Sequence, residues 1–147
     1  MNFEIVSHRG CLYGPCIETE NKPDQIVNTL SLGFPVEIDV WKSGDRFLLG
    51  HDEGKYEVVP TFFNNDMYIH CKNLEAVEYF KNTKLNWFWH NKDKMTLTSK
   101  GVAWCYPGVF VSGGITVELG KPKYIKQDIL GVCTDYPIKW KEYKESI

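Results

Sequence analysis

The 147-residue sequence lacks a long hydrophobic run, an excess of one charge and a secretory leader pattern. A membrane-spanning helix needs about 20 apolar residues, and no stretch of this chain approaches that length. The first residues do not combine a basic segment, an apolar segment and a small-residue cleavage site, as a signal peptide would. We therefore expect a cytoplasmic protein without an integral membrane segment.

The balance of charges argues against a nucleic-acid partner. Seventeen lysines and arginines stand against 19 aspartates and glutamates, which gives a net charge of -2. Nucleic-acid binders instead carry a basic patch or stripe. A small anionic ligand, held by a few well-placed cations, is compatible with this balance. The sequence leaves the oligomeric state open.

The five cysteines are odd in number and include no C-x-x-C pair. Cys71, Cys105 and Cys133 lie in apolar, strand-like segments, where a thiol packs as a small hydrophobic group. We expect all five cysteines to be reduced thiols of a cytosolic protein. The alternative is that Cys11 and Cys16 pair with each other or bind a metal ion.

The length of the chain fits one domain, residues 1–147. Short apolar segments rich in β-branched and aromatic residues alternate with helical patterns and loops, which predicts parallel α/β organisation. A complete (β/α)₈ barrel takes about 250 residues. A barrel in this chain would therefore need several helices shortened to loops, or a strand or two lost. An open α/β sheet is the competing architecture.

Several local patterns predict individual elements. Asp24 is placed to cap a helix over 25–32, and Asn73 is placed to cap the amphipathic helix that follows it. Two apolar segments on either side of a Lys-Ser-Gly-Asp turn predict a β-hairpin. Residues 96–100 are compatible with one helical turn, and the tail 139–147 is either a docking helix or frayed.

All four histidines directly follow apolar, strand-like segments: they are His8, His51, His70 and His90. In parallel α/β folds the carboxyl ends of the strands line the binding crevice or the barrel mouth. Three other polar residues hold similar positions: Asp39, Lys72 and Asp135. For His90 we keep an ordinary loop role, because an Asn-Lys-Asp turn follows it. The remaining residues are candidates for one polar site.

Glu37 and Asp39 are two residues apart on one predicted strand, so their side chains point to the same face. An inward-facing pair of carboxylates is costly unless a positive group sits between them. A divalent cation meets that need, and oxygen ligands suit Mg²⁺ or Ca²⁺. The alternative is that both acids lie on the solvent-exposed face of an edge strand.

An ordered set of motifs resembles the glycerophosphodiester phosphodiesterase family across nearly the whole chain. In chain order the motifs are His8-Arg9-Gly10, Glu20-Asn21, Glu37-Ile38-Asp39-Val40, Lys42 to Asp45, His51-Asp52 and Thr134-Asp135-Tyr136-Pro137. Two departures from the family pattern concern the second motif, because Thr19 replaces a proline and Lys22 replaces a threonine. The segment that follows His51-Asp52 is also shorter than usual, at 53–67.

The resemblance implies a reduced TIM-type (β/α) barrel and metal-dependent hydrolysis of a small glycerophosphodiester-like molecule. His8 and His51 would be the general acid and base, in either assignment, because histidine holds both protonation states near neutrality. Arg9 and Lys72 would contact the phosphate.

The resemblance also implies the metal ligands, which would be Glu37 and Asp39, with Glu20 and His70 as further candidates. Mg²⁺ or Ca²⁺ is the expected ion. The family places a glutamate where this chain has His70, and a neutral ring nitrogen at this position would admit Mn²⁺ or Zn²⁺ as well.

Two other functions compete with this interpretation. A zinc amidohydrolase-like barrel also has histidines at strand ends, but it carries a His-x-His pair on its first strand, which Ser7-His8-Arg9 lacks. The other alternative is a catalytically weak family member that binds a phosphorylated ligand or a protein partner.

Overall fold

The computed structural model describes residues 2–147, and this part of the chain contains ten β-strands, three α-helices and one 3₁₀-helix. The strands are β1 (Glu4–His8), β2 (Val36–Ser43), β3 (Arg46–Leu49), β4 (Tyr56–Val58), β5 (Met67–Cys71), β6 (Asn86–Trp89), β7 (Met95–Leu97), β8 (Ala103–Cys105), β9 (Ile115–Val117) and β10 (Gly131–Thr134). The helices are α1 (Pro23–Ser31), α2 (Leu74–Phe80), α3 (Pro137–Ser146) and the 3₁₀-helix Pro60–Phe62.

The strands form one mixed sheet, and seven of them run parallel in the order β6-β5-β2-β1-β10-β9-β8. The strand β2 also pairs with β3 in an antiparallel manner, and β3 pairs with β4. At the other end β7 pairs with β8 in an antiparallel manner. The α/β class predicted from the sequence is therefore confirmed.

The sheet is not closed, contrary to the expectation of a barrel. Within residues 2–147 no ladder joins β6 to β8. The reason lies in the segment between them, where β7 turns back and pairs with β8 instead of adding a parallel strand beside β6. At the level of strand pairing the architecture is thus an open α/β sheet.

Both faces of the sheet are covered, which explains why its central strands are apolar on each side. One buried cluster lies on the face that carries the polar residues of interest, and it contains Val6, Tyr68, Phe88, Trp104, Ile115 and Cys133. The opposite face packs against α1 and α2 through a second cluster and against α3 through a third. The polar site therefore sits above an apolar floor.

Two local predictions are confirmed. The strands β2 and β3 form the expected hairpin, with Ser43 opposite Arg46 at its turn. Asn73 is the N-cap of α2, and its side-chain oxygen accepts a hydrogen bond from the Ala76 backbone N–H at 3.1 Å. Such a cap satisfies a donor that the first helical turn leaves without a partner.

The helix predicted over 25–32 is present as α1, but its predicted cap was wrong, and so was the helical turn predicted at 96–100. The first helix begins at Pro23, so Asp24 lies inside the first turn, and Lys22 is the N-cap without a side-chain hydrogen bond. Proline suits the first position because no backbone N–H is needed there. Residues 96–100 do not form a helical turn, because β7 takes up part of this segment and pairs with β8.

The charged tail forms a docking helix rather than a frayed end. Trp140 on α3 is 1 % exposed, and its indole N–H donates a hydrogen bond to the Gly120 carbonyl at 3.0 Å. Phe3 packs edge-to-face against Trp140, with the ring centroids 6.0 Å apart. No helix within residues 2–147 is long and apolar enough to cross a membrane.

The expectation that all five cysteines are reduced was wrong. Cys11 and Cys16 form a disulfide with their Cα atoms 5.6 Å apart, because the loop between β1 and α1 reverses direction and brings them together. Gly10 and Gly14 in this loop adopt positive φ values of 88° and 133°. Disulfides are typical of oxidising compartments, so this bond counts against the expected cytoplasmic location.

The other three cysteines behave as the sequence predicts. Cys71, Cys105 and Cys133 are free and buried. Burial raises the pKa of the Cys71 thiol to about 12, which keeps it protonated and unreactive.

The disulfide yields a prediction about thiol counts and stability. In protein purified in air, alkylation after denaturation without a reductant should modify Cys71, Cys105 and Cys133 only, as read by mass spectrometry. The substitution Cys16→Ala should lower the free energy of unfolding by about 2 kcal/mol, the loop-closure entropy for so short a loop. Five alkylated cysteines in the unreduced protein would contradict the assignment.

Candidate metal centre

Three neighbouring parallel strands bring the polar side chains together: His8 and His70 lie at the carboxyl ends of β1 and β5, whereas Glu37 and Asp39 lie in the first half of β2. In the register of β1 and β2, His8 lies opposite Glu37, and in that of β2 and β5, Asp39 lies opposite His70. Residues opposite each other in a ladder point to the same face. The register thus brings His8, Asp39 and His70, three of the predicted strand-end residues, to one face together with Glu37, although Asp39 lies within β2 and not at its end.

Glu37, Asp39 and His70 form a compact group in which one ligand atom from each residue lies within 4.8 Å of the others. His70 Nδ1 is 3.2 Å from Asp39 Oδ1 and 3.8 Å from Glu37 Oε2. The two acids are 3 % and 0 % exposed, respectively. They do not lie on a solvent-exposed face, so that alternative does not hold. We call these three residues the acid–histidine cluster.

The orientation of the His70 ring is fixed by two contacts. Nε2 lies 2.8 Å from the His90 carbonyl oxygen, and a carbonyl only accepts, so Nε2 carries a proton. The ring also stacks on Phe88, with centroids 4.8 Å apart and an interplanar angle of 19°. Nδ1 is thereby directed at the two carboxylates.

Two oxygens of the acid–histidine cluster have no hydrogen-bond partner among residues 2–147. They are Glu37 Oε1 and Asp39 Oδ1, and both are buried. Unpartnered buried carboxylate oxygens are costly, and a bound cation would satisfy them. The donor set therefore fits a divalent metal ion, with Glu37, Asp39 and His70 as ligands.

The second oxygen of Asp39 is held by Asn21, a residue to which the sequence analysis gave no role. Asn21 donates a hydrogen bond from Nδ2 to Asp39 Oδ2 at 2.9 Å, and its Oδ1 accepts one from the Asp39 backbone N–H at 3.0 Å. Asn21 has a φ of 62°, which asparagine tolerates better than most residues. Its place beside Glu20 in the family-like motif was the available signal.

Burial alone would raise the pKa of Asp39. The contact with His70 and the charge of Arg9 outweigh that effect, together with the hydrogen bond from Asn21, and hold the pKa of Asp39 well below its usual range. Asp39 is therefore ionised at neutral pH.

Glu37 behaves in the opposite way. Burial and the neighbouring charge of Asp39 raise its pKa well above the ordinary value, although the charges of Arg9 and Lys72 oppose the rise. One acid is thus ionised and the other favours its proton. A cation bound between them would remove that preference.

Arg9 contacts acids rather than an open space. Its Nη1 donates a hydrogen bond to Glu20 Oε2 at 2.6 Å, and its Nε lies 3.0 Å from Asp39 Oδ2 as an ion pair without hydrogen-bond alignment. Burial alone would lower the pKa of Arg9, but the charges of Asp39 and Glu37 outweigh burial and raise it. Glu20 lies outside the acid–histidine cluster, so its role as a ligand stays a prediction.

His8 has a carboxylate partner that the sequence analysis did not assign. Its Nδ1 lies 2.7 Å from Asp135 Oδ1, and a carboxylate accepts, so Nδ1–H is the donor and Nε2 is turned away from Asp135. Asp135 directly follows β10, the parallel neighbour of β1. Its position at a strand end was the signal that could have identified it.

His51 and Lys72 lie beside the acid–histidine cluster. They line an open depression of about 320 Å³ together with His70. His51 Nδ1 lies 2.8 Å from Asp52 Oδ1, and the His51 side chain is 44 % exposed. Within residues 2–147 no hydrogen bond or ion pair joins His51 to His8. The two predicted catalytic histidines therefore contact different aspartates: the His8–Asp135 pair is largely buried, whereas Asp52 beside His51 is 93 % exposed.

No protein-family model, curated protein or solved structure matches this chain. The resemblance to a phosphodiesterase family therefore depends on the motifs of the chain itself.

The raised pKa of Glu37 predicts a specific pH dependence of stability. The folded protein keeps the Glu37 proton above the ordinary value of 4.5, where the unfolded chain has lost it, so the free energy of unfolding falls as the pH rises. In EDTA, which removes bound metal, the Glu37→Gln variant should not show this fall. Its free energy of unfolding should exceed that of the wild type by about 1–3 kcal/mol near pH 8, the upper end of a range from about pH 5 to 8. Urea unfolding across that range measures it.

Asp39 does not obscure this test, because its lowered pKa acts in the opposite direction and only below its ordinary value of 3.8. Glu57→Gln is the matched control, since Glu57 is an exposed partner of Arg46. Parallel stability curves for the wild type and Glu37→Gln would show that the burial of Glu37 carries no such cost.

Proposed function

We propose that the chain is a metal-assisted phosphodiester hydrolase that acts on a small glycerophosphodiester-like molecule. The observation that carries the proposal is the combination of the acid–histidine cluster with His8, which is bound to Asp135, on adjacent parallel strands. A site for a cation and a histidine free at one nitrogen are group types that catalyse hydrolysis at phosphorus.

We also propose that the open sheet is a reduced relative of the (β/α) barrel of the glycerophosphodiester phosphodiesterase family. The order of its seven parallel strands supports this, because it follows the chain in both directions from β1. A further link bridges the open edge, where the Ser99 backbone N–H donates a hydrogen bond to the Trp87 carbonyl at 2.7 Å.

The two histidines are suited to acid–base roles. Asp135 holds His8 with Nε2 available, and Asp52 lies against Nδ1 of His51. One histidine takes a proton from the attacking water molecule, and the other donates a proton to the oxygen of the leaving alcohol. Histidine serves both purposes because its ordinary pKa is near neutrality.

Glu37, Asp39 and His70 would hold the metal ion. When bound, such an ion neutralises charge on the phosphoryl oxygens and lowers the pKa of the attacking oxygen. Asn21 keeps Asp39 Oδ1 directed at the cluster by occupying Oδ2. Glu20 positions Arg9 beside Asp39.

Lys72 is the better-placed phosphate contact of the two predicted ones. It lines the open depression with His51 and lies near enough to Glu37 for its charge to affect the pKa of that acid. The guanidinium of Arg9 is already bound to the carboxylates of Glu20 and Asp39. Arg9 therefore adds positive charge near the site through its contact with Asp39, not by contacting the phosphate.

The test is hydrolysis of bis(p-nitrophenyl) phosphate and glycerophosphocholine with and without EDTA. His8→Ala and His51→Ala should each lower kcat by about 10²- to 10⁴-fold, the usual contribution of a general acid or base. EDTA should abolish the activity, and added divalent metal should restore it. Arg46→Ala is the control, since Arg46 forms an exposed ion pair on the hairpin.

Asp135→Asn distinguishes a catalytic role from a structural role for the pair formed by His8 and Asp135. It should lower kcat while leaving metal binding unchanged, because Asp135 contacts His8 and not the cluster. Activity that persists in EDTA and in both histidine variants would contradict the proposal. Binding of the phosphodiester without turnover would instead favour the alternative function, a phosphate-ligand binding protein.

A further inference from the structure

The ligand atoms of the acid–histidine cluster are chemically mixed, and this bears on which metal they select. Resting on the proposed metal centre, we propose that the site binds a first-row transition-metal ion, Zn²⁺ more tightly than Mn²⁺, in preference to Mg²⁺ and Ca²⁺. The proposal depends on which atoms of Asp39 and His70 already form hydrogen bonds and which are free to bind a metal ion.

His70 offers a nitrogen that is free to ligate. Its Nε2 proton is used by the His90 carbonyl at 2.8 Å, which leaves Nδ1 as the ligating atom. A backbone carbonyl bound to the outer nitrogen is the usual support of a histidine ligand. The stacked Phe88 ring, itself 1 % exposed, holds the imidazole in that orientation. Imidazole nitrogen suits Zn²⁺ and its neighbours, whereas Mg²⁺ and Ca²⁺ prefer oxygen.

The oxygen ligands are too few for a calcium site. Ca²⁺ takes about six to eight oxygens and commonly binds a carboxylate through both of them. Asp39 has only Oδ1 to give, because Oδ2 accepts the hydrogen bond from Asn21 at 2.9 Å and also faces the guanidinium Nε of Arg9 at 3.0 Å. Asn21 is 1 % exposed and cannot move aside readily. Glu37 can supply two oxygens, so the two acids together provide at most three.

The positive charges near the cluster also disfavour Mg²⁺ and Ca²⁺. Arg9 lies 3.0 Å from Asp39 Oδ2, and the charge of Lys72 reaches Glu37. These cations offset part of the negative charge on which a hard ion depends, because its binding is mainly electrostatic. A bond to the His70 nitrogen is less affected, since that ligand is neutral when it binds a metal.

Electron paramagnetic resonance of Mn²⁺ tests the proposal without any activity measurement, because the signal of the free ion falls as the ion binds. Titration of the whole protein with Mn²⁺ is followed by competition with Zn²⁺, Mg²⁺ or Ca²⁺. In the wild type, Zn²⁺ should displace Mn²⁺ near stoichiometry, whereas Ca²⁺ and Mg²⁺ should need at least about a hundredfold excess.

Two substitutions of His70 test the origin of the selectivity. His70→Glu should let Ca²⁺ displace Mn²⁺ at a concentration at least about tenfold lower than in the wild type. His70→Gln adds no charge to the buried acids, so it serves if the glutamate variant fails to fold, and it should weaken Zn²⁺ binding by about 10- to 100-fold. His90→Ala is the control, because it keeps the carbonyl that holds His70.

The outcomes separate this inference from the proposed function. Equal competition by Ca²⁺ in the wild type and in both His70 variants would overturn the selectivity. Selective binding of Zn²⁺ and Mn²⁺ by a protein that hydrolyses no phosphodiester would support the selectivity and overturn the hydrolase proposal. Failure of Mn²⁺ and Zn²⁺ to bind the wild type would overturn both.

Discussion

Two buried carboxylates, Glu37 and Asp39, face the same side of β2 with an imidazole nitrogen opposite them. Three acceptor groups gathered out of water repel one another unless a proton or a cation lies between them. The neighbouring loop and strands are arranged around this constraint. Asn21 and Arg9 hold one oxygen of Asp39, and the apolar floor beneath keeps water away from the other atoms. The fold spends stability on this cluster, which is the usual relation between a protein and its functional site.

The surroundings shift the pKa values of the two acids in opposite directions, and this difference determines how the site responds to a cation. Contacts hold the pKa of Asp39 low, whereas burial and the charge of Asp39 hold the pKa of Glu37 high. A divalent ion would satisfy both acids at once, and the proton of Glu37 would be released as it binds. His8 takes no part in this exchange of a proton for a metal ion, because its Nδ1 is bound to Asp135. Metal binding and proton transfer are thus assigned to separate groups on adjacent strands.

The sequence predicts the parts of this structure that depend on local pattern. The two-residue spacing of Glu37 and Asp39 places both acids on one face, and strand-end placement brings His70 to them. Asn73 was recognisable as a cap because it precedes an amphipathic segment. Contacts that depend on the path of a loop were not predictable in this way, and the pairing of Cys11 with Cys16 was open only as an alternative. The pairing of β7 with β8, the Cys11–Cys16 bond and the hold of Asn21 on Asp39 each depend on how a loop turns back. No single-sequence periodicity encodes such a turn.

The central claim is that the acid–histidine cluster holds a divalent cation, and anomalous diffraction tests it most directly. Crystals grown with Mn²⁺, with data collected near the manganese edge, should show an anomalous peak bounded by Glu37, Asp39 and Nδ1 of His70. The peak should be absent from crystals of Glu37→Gln grown under the same conditions. A wild-type crystal with no peak at this position, or with manganese bound only elsewhere, would contradict the account.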